Sequence, residues 1–242
     1  MKTRKKFWFW QRSHELIWPP SSIKSKEIEE NVFCGDLFYR NLYDIAETYC
    51  GEKYKNVTLQ IMSDLEDSFK NAYCAESVHH DYKGGLAEHT HEVALLCLAV
   101  VDIFDGLDLD LLIAGAVLHD LGKIFTYKEK SDGSAEKTYL GELEEHLYVG
   151  AEKLNEYKHM FNSDLDMALL KHMLLSHHGR REWGSPVVCK TKEADILHQC
   201  DMISSRLSIF DKAIKDSEEE GLFTKKIPFL EGKVFKGEIN EN

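Results

Sequence analysis

Residues 111–123 read LLIAGAVLHDLGK, an apolar run that ends in adjacent His119 and Asp120 and continues through Gly122 to Lys123. Residues that are apolar on every side for eight positions form a helix that must be surrounded by protein, so this stretch predicts the centre of a helical core. Neighbouring side chains on a helix diverge by about 100°. An imidazole and a carboxylate at its end can therefore approach one cation from two directions, or the carboxylate can bridge two. A His-Asp pair alone is weak evidence, because a histidine at a helix end is more often a solvated cap. The rest of the chain has to supply the other ligands.

Composition sets the bounds. The chain has 242 residues, 43% of them hydrophobic, with four prolines, which suits one domain of roughly 200 residues with extensions. Thirty basic side chains against 42 acidic ones give a net charge of -12, and such a surface opposes long phosphate backbones while tolerating small anions. The six cysteines form no C-x-x-C pair, so buried free thiols in a reducing cytoplasm are expected rather than a disulfide framework or a structural zinc knot. No apolar run approaches the ~20 residues that span a bilayer, so integral membrane association is not expected. Residues 1–28 are expected to form a basic, aromatic arm (Lys2, Arg4, Lys5, Lys6, Phe7, Trp8, Phe9, Trp10) packed on the domain.

Outward from the central run, three- and four-residue spacings predict helices over residues 28–49, with Gly35 a candidate break, over 56–74, and over about 86–104. Asp108 or Asp110 can cap the central helix, Ser163 a helix running to His177 and His178, and Thr191 a helix over 192–215. Alternation around Asp132-Gly133 predicts a β-hairpin between residues 124 and 140, followed by a helix over 141–160 that carries His146. From Gly221 onward FTKKIPFLEGKVFKG gives a second, weaker strand pattern within a tail over residues 219–242. The expected fold is an all-α bundle of six or more helices with one inserted hairpin, its domain spanning residues 29–218.

On this frame His89, His119, Asp120, His146, His177, His178 and Asp201 fall on five helices or their ends. Helical bundles build metal sites by projecting such side chains inward from facing helices. Imidazoles mixed with carboxylates suit Mn, Fe, Co, Ni or Zn, with Mg a further candidate. For His14, His91, His159, His172 and His198 the bland reading, a satisfied core or surface histidine, is preferred.

The order H…HD…H…HH…D resembles the HD-domain superfamily of metal-dependent phosphohydrolases. The words HHDYKGGLAEHT (79–90), LLIAGAVLHDLGK (111–123), LLSHHGRREWGSP (174–186) and KEADILHQCDMISSR (192–206) are similar to the catalytic domain of YhaM-type 3'-5' exoribonucleases over roughly Glu29 to Lys236. The resemblance implies a minimal site of His89, His119, Asp120 and Asp201 around one ion. It implies a second ion on His146 and His177 with Asp120 bridging, as in two-metal members, and leaves one or two ions open. His178 then faces a metal or a phosphate oxygen, and Lys123 resembles the superfamily's phosphate-facing lysine. With Asp120, these two form the expected catalytic set.

Substrate contacts are expected from His80 and Lys83, at the turn before the His89 helix, and from Arg180 and Trp183 beside His178. The bland alternatives are a solvated loop arginine and a tryptophan that anchors its loop. The expected function is hydrolysis of phosphoester bonds in nucleotides or short oligonucleotides by metal-activated water. A mononucleotide phosphatase or signalling-nucleotide hydrolase is the second enzymatic reading, and a metal-containing ligand-binding module is the reading from another class. The exoribonuclease family carries an OB domain ahead of its HD domain, whereas about thirty residues precede it here, so preference for short substrates over long nucleic acid is expected.

Overall fold

The computed structural model describes residues 34–76 and 80–237; the N-terminal arm and His14 lie outside the described residues. The helices are α1 (Cys34–Tyr49), α2 (Lys55–Asp64), α3 (Glu66–Asn71), α4 (Gly85–Ile103), α5 (Leu109–Leu118), α6 (Lys123–Thr126), α7 (Tyr139–Leu143), α8 (Glu145–Glu156), α9 (Asp164–Ser176) and α10 (Lys192–Lys215). Every residue of α5 from Leu111 to Leu118 is buried, as an all-round apolar helix requires. It is packed by α1, α2, α4, α9 and α10, so the bundle is assembled around the stretch that ends in His119 and Asp120. Among the described residues no helix is long and apolar enough to cross a membrane.

The predicted caps form. Asp108 accepts a hydrogen bond from Leu111 N at 3.2 Å, Ser163 from Asp166 N at 3.1 Å and Thr191 from Ala194 N at 3.1 Å, each satisfying an amide that helix geometry leaves unpaired. The hairpin also forms. β1 (Tyr127–Glu129) pairs antiparallel with β2 (Ala135–Lys137), and Asp132 Oδ1 accepts from Ser134 N within the turn. In the tail, β3 (Phe223–Ile227) pairs antiparallel with β4 (Gly232–Phe235) against α10. No larger sheet occurs among the described residues.

Three boundaries differ from expectation. Gly35 lies inside α1 and does not break it. The helix expected over 56–74 divides at Leu65, and the turn lets α3 bury Phe69 edge-on against Tyr39, 6.0 Å between ring centres. The helix expected over 141–160 divides at Glu144, and Glu145, at the start of α8, adopts φ 63°. That left-handed residue is held by Lys137, whose Nζ donates to Glu145 Oε1 at 2.7 Å. The break re-aims the next residue, His146.

Candidate metal centre

The HD pair sits where α5 ends and the chain turns into α6. Lys123 N donates to Asp120 O at 2.9 Å, which keeps the turn helical enough to bring Lys123 Nζ to 2.7 Å from Asp120 Oδ2. Gly122 makes the approach of α8 feasible: a Cβ there would lie 1.9 Å from the His146 carbonyl oxygen. Only glycine fits, and its absence of a side chain is what lets His146 reach the pair.

Asp120 is the hub. Its Oδ2 lies 3.2 Å from His119 Nε2 and 3.6 Å from His89 Nε2, and His89 Nε2 is 3.2 Å from Asp201 Oδ1. Its Oδ1 lies 3.4 Å from His146 Nε2 and 3.5 Å from His177 Nε2. His178 completes that second side, with a ligand atom within 4.8 Å of those of His146 and His177. The seven candidate ligands thus converge, and they fall into two groups on the two oxygens of one buried carboxylate.

The rings are oriented from behind. His119 Nδ1 meets the Ala116 carbonyl at 2.8 Å, His177 Nδ1 the Leu174 carbonyl at 2.8 Å and His178 Nδ1 the Trp183 carbonyl at 2.8 Å. A carbonyl can only accept, so each Nδ1 carries a hydrogen and each ring turns its Nε2 to the centre. His89 is held differently. Ser204 Oγ donates to Glu92 Oε2 at 2.7 Å and so is left to accept from His89 Nδ1 at 2.8 Å. Glu92 and Ser204 escaped the sequence reading, although each stands three residues beyond a candidate ligand on the same helix face.

Electrostatics draws positive charge to this point. Burial alone would raise the Asp120 pKa, but Lys123 and His119 hold it well below the usual carboxylate range. Burial also opposes ionisation of Asp201, yet His89, His119 and His177 hold it low. Burial pulls His119 down, but Asp120 and Asp201 push it above its ordinary value. Burial keeps His146 neutral, lowered to about 4, and His178 at about 3. Asp120 Oδ1, His146 Nε2 and His177 Nε2 have no hydrogen-bond partner, and a buried polar atom left so costs ~1–3 kcal/mol. Facing lone pairs 3.4–3.5 Å apart repel one another, and a divalent cation resolves all three. The residues fit a metal.

The other candidates are placed as follows. His80 is buried, its ring centre 5.4 Å from that of His89 and its Nε2 3.6 Å from Glu92 Oε2. Lys83 pairs with Glu129 at 3.5 Å. The Arg180 guanidinium lies 4.8 Å from the centre of the Trp183 ring, and Trp183 is 45% exposed. Of the histidines set aside, His91 packs on Phe38, His172 Nε2 accepts from Lys190 N, and His198 Nδ1 meets the His177 carbonyl at 2.8 Å. Cys74, for which the sequence offered no signal, is fully buried and has its Sγ within 4.8 Å of ligand atoms of His89 and Asp120.

A family model described as the HD domain matches residues 86–206. The chain is similar to the 3'-5' exoribonuclease YhaM of Geobacillus sp. (strain WCH70), 34% identical over 182 residues, covering 75% of this chain and 55% of that protein. It is 33% identical over 190 residues to the protein of the same name from Listeria monocytogenes serotype 4b (strain CLIP80459), covering 77% and 59%. With the Bacillus subtilis (strain 168) protein of that name it shares 34% identity over 225 residues, covering 90% and 70%. The chain thus spans a little over half the length of the first two relatives. No solved structure matches it. The histidine and aspartate clusters that could hold a metal lie within or beside the matched segment, and the chain belongs to the HD-domain family.

Proposed function

We propose that the chain is a metal-dependent phosphohydrolase that cleaves phosphoester bonds in nucleotides or short oligonucleotides, in the manner of the 3'-5' exoribonucleases it is similar to. The observation that carries this reading is Asp120, whose two oxygens face two separate sets of imidazoles. His89, His119, Asp120 and Asp201 would hold one divalent ion, with Asp120, His146 and His177 for a second. Such ions (Mn, Fe, Co, Ni or Zn, or Mg) supply, when bound, a nucleophile from water near neutral pH and neutralise charge on the phosphoryl oxygens.

The protein's own groups then have distinct roles. Lys123 stays charged: burial lowers its pKa, but Asp120 and Cys74 more than restore it, for a net shift upward, so it fixes Asp120 and adds positive potential for a phosphate. His178 is held neutral beside the second set, suited to a hydrogen bond with a phosphate oxygen or to ligation. Trp183, half exposed under Arg180, is a platform for a base. His80 and Lys83 precede α4, near where a phosphate would approach.

Short substrates are favoured because positive charge near the hairpin is already matched. Lys83 pairs with Glu129, Lys128 with Glu136 and Lys137 with Glu145, leaving little to neutralise a long backbone. Six free thiols suit a reducing cytoplasm. The test is product analysis on mononucleotides, cyclic nucleotides, di- and trinucleotides and a long single-stranded RNA, using protein purified without chelator. Metal-dependent release of mononucleotides from short oligomers is expected. Absence of hydrolysis with bound metal would leave a ligand-binding module, and long RNA degraded at least as fast as a trinucleotide would refute the length preference.

A further inference from the structure

We propose that Cys74 Sγ is a ligand of the ion that His89 and Asp120 would hold, which makes this a mixed nitrogen, oxygen and sulfur site that favours thiophilic divalent ions. The proposal rests on the reading that an ion binds there. Cys74 follows α3 and is fully buried, with its N–H donating to the His80 carbonyl at 3.4 Å. That bond ties the cysteine to the segment leading into α4, the helix of His89. Its Sγ lies within 4.8 Å of ligand atoms of both His89 and Asp120. Lys123 Nζ donates to Cys74 Sγ at 3.4 Å and lies 2.7 Å from Asp120 Oδ2, so sulfur and Oδ2 flank the same amine.

Cys74 shares the apolar core with Cys50, Cys97 and Cys200, but it is the only cysteine among the described residues that also joins such a ligand group. The three buried polar atoms without hydrogen-bond partners, Asp120 Oδ1, His146 Nε2 and His177 Nε2, lie on the other side of Asp120, so the proposal stands on the cluster of Cys74 with His89 and Asp120. A thiol that binds a divalent ion does so as thiolate. The S–H proton passes to solvent, a sulfur-metal bond forms, and no electron changes hands. Thiolate ligation selects zinc-like ions over manganese or magnesium.

The test is absorption spectroscopy of the full chain loaded with Co(II). Wild type is expected to show a near-ultraviolet sulfur-to-cobalt charge-transfer band. Cys74→Ser and Cys74→Ala should lose the band, and their preference for Zn(II) over Mn(II) should fall at least tenfold. A wild-type cobalt spectrum without the band overturns the proposal, whether or not the variants fold, as does a band that persists in Cys74→Ser. If cobalt does not bind, or binds equally to His119→Ala, the metal reading fails and takes this proposal with it. A charge-transfer band in a protein that hydrolyses no phosphoester would sustain the thiolate and sink the proposed activity.

Discussion

The two sides of Asp120 are built by different means. His89 and Asp201 project from within the longest helices, α4 with 19 residues and α10 with 24, and His89 is braced by Ser204 and Glu92. His146 follows a left-handed glutamate at the start of α8, and His177 and His178 lie past the last residue of α9. On the second side the support is the Leu174 carbonyl in the last turn of α9 and the Trp183 carbonyl of the loop beyond, with Gly179 at φ +76° packed so tightly that a Cβ would lie 2.4 Å from His198 Nε2. Helix interiors hold geometry better than helix ends and loops. On the proposed two-ion reading, the first site draws His89 and Asp201 from helix interiors, with His119 alone at a helix end, while the second draws its imidazoles from helix ends, so the two ions should differ in affinity.

The largest expected effect is at the shared residue. Asp120→Asn keeps the shape of the side chain and removes the charge that both sides use, and activity should fall by about three powers of ten, the scale of losing several kcal/mol of charge stabilisation. Steady-state kinetics with saturating Mn(II) or Zn(II) measures it; activity within tenfold of wild type would break the bridging role. Next come the two sides taken singly. His119→Ala should abolish the tighter site, whereas His146→Ala should leave one tightly held ion, as titration calorimetry of the two variants would show. Equal residual stoichiometry and affinity in both would erase the distinction between the two sides.

Smaller effects sharpen the same contrast. Ser204→Ala removes the brace on His89 and should weaken the tighter ion about 10–100-fold, the usual consequence of losing a group that orients a ligand. The second ion's affinity should stay unchanged, and a matching loss at both sites would mean a general structural defect. The smallest effect belongs to Trp183→Ala. Loss of stacking at a half-exposed ring should raise KM roughly fivefold, about 1 kcal/mol, with kcat and metal content unaltered; a fall in kcat instead would assign Trp183 to holding His178 through its carbonyl.

Much of the centre was legible because its ligands sit on strongly periodic helices. The apolar run into His119 and Asp120, the caps at Asp108, Ser163 and Thr191, and the Asp132-Gly133 hairpin carry local signals whose physics is local, and all appear as expected. The breaks at Leu65 and Glu144 carry none. They arise because Phe69 and His146 are recruited by distant partners, Tyr39 and Asp120, which no window of sequence contains. Cys74 is hidden for the same reason: it reaches the centre through the loop before α4, without helical spacing to any ligand.

The central claim is that Asp120 joins two sites of unequal strength, and metal analysis of protein stripped stepwise by chelator tests it most directly. Elemental analysis of wild type purified without chelator should give two ions per chain. The count should fall through a plateau at one before reaching zero, and Asp120→Asn should retain no stoichiometric ion after the same purification. A wild type that never holds metal, or an Asp120→Asn variant that keeps two ions, would contradict the account.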